Sequence, residues 1–158
     1  AVEMGVLLAK LAFGSEIRMQ GAEPVPQLVA GMSLGYDCIV PVPPSGTRRG
    51  YNVPYLMSLP LEQALQVPLC PAALCRVRAK KHQAGLPFEE RLANVAGAFR
   101  TQEPDAVEGK RILLVDDVIT TGATAAACAQ SLLDAGAESV FVVAMATSEF
   151  DLVPSNPA

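Results

Sequence analysis

Apolar positions along this chain follow two rhythms. Continuous aliphatic and β-branched runs at 36–42, 112–115 and 139–144 predict strands buried on both faces, the pattern of a parallel sheet covered by helices. Between them the spacing turns helical. Val2, Val6, Leu7, Leu11 and Phe13 predict an amphipathic helix over 1–13, with a turn at 21–26 and a short helix over 27–34. A helix is predicted over 52–67, where Pro54 suits a first turn and Pro60 is expected to break or kink the interior. An alanine-rich helix follows the 112–115 strand and runs to about Ala135, closed by Gly136. Pro71 restricts 69–77 to an edge or irregular strand, and Pro104 marks 101–109 as a surface connection. A further helix begins at Pro87 and sets Arg91 and Asn94, three apart, on one face. Residues 145–150 are expected to form a loop at the ligand edge and 151–158 a loose tail. Strands alternating with helices imply the α/β class, a parallel sheet flanked by helices.

Length and composition sharpen this picture. At 158 residues the chain is one domain's worth, so a single domain over 1–158 is expected. Hydrophobic residues make up 51% with only 5% aromatic, a balance that suits aliphatic strands under alanine-rich helices. No apolar run approaches a membrane span. Twelve basic against sixteen acidic residues give a net charge of −4, which argues against bulk attraction to nucleic acid. The four cysteines, Cys38, Cys70, Cys75 and Cys128, show no paired C-x-x-C spacing, and His82 is the single histidine. That set makes a zinc site improbable and points to free, partly buried thiols in a cytoplasmic protein.

One stretch speaks about chemistry. Asp116 and Asp117 stand where the 112–115 strand is expected to end, and Val118-Ile119-Thr120-Thr121-Gly122-Ala123-Thr124 leads into the next helix. Unpaired N–H groups and the dipole of a helix N-terminus attract a phosphate, and Gly122 lets the backbone approach it. The hydroxyls of Thr120, Thr121 and Thr124 add donors, while an ionised carboxylate accepts from both hydroxyls of a vicinal diol. A sugar 5-phosphate fits both ends. Aspartates and threonines also terminate strands and cap helices routinely, so either half alone would mean little. It is their contiguity that is specific. A nucleotide P-loop is excluded because residue 123 is alanine where lysine is needed. A response-regulator receiver would need a lysine far downstream, and only a short tail remains.

The segment VDDVITTGAT resembles the phosphoribosyl pyrophosphate (PRPP) motif of type I phosphoribosyltransferases, and PVPPSGTRRGYN at 41–52 with HQAGLPFEERLANVAGAF at 82–99 resembles their competence protein F (ComF) branch. The resemblance implies that the acidic pair holds the ribose hydroxyls and that 118–124 wraps the 5-phosphate. It makes Pro44, Ser45, Gly46, Thr47, Arg48 and Arg49 a pyrophosphate loop, and 79–99 a small flexible hood carrying Gln83, Arg91 and Asn94. Against that branch the chain departs in Val53, where glutamine is usual, and in Ala12-Phe13-Gly14, where a lysine usually precedes the aromatic. It is also expected to lack the branch's N-terminal cysteine-rich zinc module.

The activity implied is Mg²⁺-dependent transfer of the 5-phosphoribosyl group from PRPP to a nitrogen acceptor of unknown identity, with release of pyrophosphate. Asp116, Asp117 and Arg91 are the implied catalytic residues. No metal is expected to be held by protein groups alone, because Mg²⁺ would arrive on PRPP oxygens. The alternative is a non-catalytic PRPP- or nucleotide-binding protein of DNA uptake, or a regulator. In that case the basic stretch containing Arg76, Arg78, Lys80, Lys81 and His82 would contact single-stranded DNA. A membrane partner is not expected, and an oligomer is compatible with either reading.

Overall fold

A computed structural model of the chain describes residues 35–44, 50–77 and 97–147. The expected helices over 1–13 and 27–34, most of the pyrophosphate loop, most of the hood and the tail lie outside them. The described elements run β1 (Cys38–Pro41), α1 (Val53–Leu65), β2 (Leu74–Arg76), β3 (Phe99–Thr101), a 3₁₀ turn (Pro104–Ala106), β4 (Arg111–Ile119), α2 (Ala123–Asp134) and β5 (Ser139–Thr147).

β1, β4 and β5 form a parallel sheet in that order, with β4 in the centre. A single parallel bridge between Ile39 and Leu69 adds to the far side of β1. Parallel strands need cover on both faces, and the continuous apolar run of β4 supplies two different contact surfaces by simple alternation. Ile112 and Leu114 join Cys128 and Leu132 of α2 in one buried cluster. Leu113 and Val115 join Met57 and Leu61 of α1 in the other. The antiparallel pair β2–β3 contributes Leu74 and Phe99 to the α2 side, where Thr101 Oγ1 donates to Ser131 O at 2.8 Å. At the N-terminal edge of the sheet Arg111 grips Asp37 through Nε (2.9 Å) and Nη2 (3.0 Å), and these hydrogen bonds pull the Asp37 carboxyl down to about 2.

Five sequence expectations change. α1 runs unbroken through Pro60. Its Met57 and Leu61, both fully buried on the sheet, each contribute about 2 kcal/mol of transfer free energy, which offsets one missing helix hydrogen bond. β4 does not stop at Val115 but continues to Ile119, because β5 pairs with it as far as Thr147. The predicted loop at 145–150 therefore begins as strand. β5 is not buried: Phe141 is 53% and Val142 39% exposed, since β5 has a strand on one side only among the described residues. The 101–109 connection is not all surface, because Val107 enters the α2-side core with no exposure. Among the described residues no helix is long and apolar enough to cross a membrane.

Candidate functional site

β1 ends its pairing at Pro41 opposite Val115, and the last bond across that edge runs from Val42 N to Val115 O at 2.9 Å. From Asp116 onward β4 is paired, among the described residues, through β5 alone. The two carboxylates thus sit inside a strand, at the point where its other neighbour has turned away. This is the C-terminal edge of a parallel sheet, where the chain reversals of an open α/β fold leave a crevice.

The aspartates are not equivalent. Strand alternation puts Asp116 on the α2 face with Ile112 and Leu114, and Asp117 on the α1 face. Asp116 is buried, at 6% exposure, whereas Asp117 is partly open. Each accepts the N–H of the next residue: Asp117 N reaches Asp116 Oδ1 at 2.9 Å, and Val118 N reaches Asp117 Oδ1 at 2.8 Å. Acceptor capacity remains on both for an external hydroxyl. Burial raises the Asp116 carboxyl to about 6; the Asp117 N–H works against this, the Asp117 charge adds to it, and the Arg76 cation opposes it.

The phosphate end follows directly. Gly122 occupies the left-handed region at φ 77° immediately before Ala123 opens α2, and a Cβ there would meet nothing within 4 Å. Thr121 Oγ1 accepts from Ala123 N at 3.4 Å, a long contact that leaves the hydroxyl able to donate outward. Gly122, at the N-cap, has no side chain to cap α2, so beyond this long contact the N–H groups of the first helical turn have no intrahelical acceptor. Asp116, Asp117 and the 118–124 segment thus lie together where β4 ends and α2 begins.

At the other end only Pro44 of the candidate pyrophosphate loop lies within the described residues; Ser45 to Arg49 do not, nor do Gln83, Arg91 and Asn94 of the hood. Two residues absent from the sequence-derived site hold what is described. Asn52 Nδ2 donates to Val42 O at 3.1 Å, drawing the two ends of the loop together, while its buried Oδ1 has no partner among the described residues. Arg76 Nε donates to Pro44 O at 3.3 Å, and its guanidinium lies 4.3 Å over the Phe99 ring. Burial lowers the pKa of Arg76, and Cys128 and Asp116 are near enough to act on its charge in the opposite direction. The sequence placed Arg76 in the basic stretch that the alternative reading turns to single-stranded DNA. The structure half-buries it beside Phe99 and turns its Nε to Pro44 O, a position that only the pairing of β2 with β3 reveals.

No family model matches the chain. DNA utilization protein YhgH of Escherichia coli is 41% identical over 95 residues, which cover 60% of this chain and 41% of that protein. Competence protein F of Haemophilus influenzae is 34% identical over 114 residues, 70% of this chain and 50% of that protein. A hypoxanthine/guanine phosphoribosyltransferase of Methanothrix soehngenii is 38% identical over 84 residues, 52% of this chain and 43% of that one. The glutamine PRPP amidotransferase of B. subtilis, solved with ADP and GMP, superposes with a TM-score of 0.53 at 20% identity, covering 90% of this chain and 26% of that one. The chain is thus similar to ComF-like proteins, and its fold is that of the type I phosphoribosyltransferases. It spans half or less of the length of the relatives it matches, 50% for competence protein F and 41% for YhgH. The ComF-like chain thus has the parallel sheet and flanking helices of that fold, with the acidic pair and the 118–124 segment at its C-terminal edge.

Proposed function

We propose that this ComF-like chain binds PRPP at Asp116, Asp117 and residues 118–124 and transfers its 5-phosphoribosyl group to a nitrogen nucleophile. The observation that carries this reading is the juxtaposition of a buried carboxylate, Asp116, and its partly open neighbour Asp117 with the N-terminus of α2, which opens at Ala123 behind Gly122. The carboxylates accept the ribose hydroxyls. The N–H groups of α2 and the Thr121 hydroxyl receive the 5-phosphate. Displacement at C1 expels pyrophosphate, so developing negative charge at that end must meet preset donors, a task for the loop headed by Pro44 and for Arg91. Magnesium travels with the substrate in this reading. Two carboxylates, one of them held near neutrality at mildly acidic pH, are too few to hold the ion without substrate oxygens and water.

Calorimetry with PRPP, with and without Mg²⁺, tests the reading first, followed by pyrophosphate release across a panel of bases and amines. Mg²⁺-dependent micromolar binding and release with at least one acceptor are expected. Binding that is absent in both conditions would overturn the proposal.

A second reading is favoured by the names of two relatives, which speak of DNA utilization and competence. In it the chain is a binding module, and Lys80 and Lys81 meet single-stranded DNA. The net charge of −4 argues for the small-molecule role, since a DNA surface would work against a repulsive background. Neutralising both lysines is therefore expected to slow PRPP capture and leave DNA binding unchanged. Single-strand affinity that falls, with a salt slope flattened by about one per lost phosphate contact, would decide for the second reading.

A further inference from the structure

We propose that Arg76 is a positioning residue that ties Pro44, at the head of the candidate pyrophosphate loop, to the Phe99 ring, so that this end of the loop is held in place where the diphosphate end of the substrate would lie. The inference rests on the PRPP reading and adds to it a residue that neither the motif nor the family resemblance assigns. Arg76 ends β2, directly opposite Phe99 of β3. Phe99 is 5% exposed and belongs to the core on the α2 side, so the ring beneath the guanidinium is held by packing. A planar cation seated on a fixed ring has few ways to turn, and its Nε then points at one acceptor, the Pro44 carbonyl at 3.3 Å. Pro44 itself is stiff and follows buried Pro43, and Asn52 closes the same reversal at Val42 O. Arg76 thereby joins three pieces distant in sequence: the exit of β1, the root of the antiparallel pair and the face of β4 that bears Asp116.

Guanidinium geometry and positive charge make separable contributions. Charge alone acts on Asp116, whose other charged or titratable neighbours are Asp117 on its own strand and Cys128 on α2. The fork and the stacked plane act on Pro44. Lysine preserves the first and loses the second; methionine loses both while keeping the stem.

The experiment compares Arg76→Lys and Arg76→Met with wild type for PRPP and ribose 5-phosphate binding at pH 8, after circular dichroism and melting establish that each variant is folded. Both variants are expected to lose about tenfold in PRPP affinity and less than threefold for ribose 5-phosphate, which lacks the diphosphate. The pH midpoint for ribose 5-phosphate binding should rise in the methionine variant only, because removing a cation makes Asp116 easier to protonate. Equal losses for the two ligands, or unchanged PRPP affinity in either folded variant, would overturn the inference. A wild-type protein that binds neither ligand overturns the reading beneath it, and that result is distinct because no variant enters it. If the methionine variant does not fold, the lysine variant still decides through the ratio of the two ligands.

Discussion

Replacing Asp116 by Asn is expected to abolish PRPP binding and, at neutral pH, to make the fold more stable. The two effects share one cause. Asp116 is buried, and burial holds its carboxyl at about 6 in the native state. The gap between that value and the ordinary carboxylate value near 4 corresponds to on the order of 2–3 kcal/mol of destabilisation once the group is ionised. Because the native state binds the proton more tightly than the unfolded chain, wild-type stability falls as pH rises from about 4 through 6, and above that the penalty is complete. Asparagine carries no such penalty and its Oδ1 can still accept the Asp117 N–H. At pH 7 the variant should therefore melt about 5–10 °C higher, and the difference should close as pH is lowered to 4. Its loss of binding follows from exchanging a charged acceptor for a neutral amide at the ribose hydroxyls. Melting curves at pH 4 and 7, with calorimetry at pH 7, check both halves. A variant less stable than wild type at pH 7, or one that binds PRPP normally, would remove Asp116 from the role assigned here.

A site that destabilises its own fold is one that a sequence signals well, because it breaks the local rule. The run Ile112 to Val115 announces a buried strand, and two carboxylates directly after it have no packing reason to be there. The family motif, the helix behind Gly122 and the buried Cys38 and Cys128 were all legible for similar reasons of pattern. What was not legible depended on partners far along the chain. The extension of β4 to Ile119 follows from the length of β5, which pairs with acidic and apolar residues alike through the backbone. The survival of α1 across Pro60 follows from Met57 and Leu61 finding Ile39, Leu113 and Val115 beneath them. Arg76 read as one of several cations in RVRAKKH, and only its register opposite Phe99 separates it from them. Asn52 was read through its missing glutamine neighbour, whereas its own amide closes the loop.

Truncation of the core on either side of β4 is expected to damage different ends of the substrate site. Leu114 and Leu61 are both fully buried, so Leu114→Ala and Leu61→Ala should each cost about 2–5 kcal/mol, the spread reflecting how far each site can collapse. Similar stability losses make their functional differences informative. Leu114 packs in the cluster of Ala123, Cys128 and Leu132, so its loss loosens α2 against the sheet and with it the N–H groups that meet the 5-phosphate. That end is common to PRPP and ribose 5-phosphate, and affinity for both should fall together. Leu61 packs in the cluster of Ile39, Met57 and Leu113, on the helix that Asn52 leads out of the Pro44 loop. Its loss should weaken PRPP several-fold more than ribose 5-phosphate. Melting temperatures and calorimetry on the two variants, below the midpoint of the less stable one, give the comparison. If both variants lose the two ligands in equal proportion, the site responds to global stability alone, and the division of the substrate between the two faces of the sheet fails.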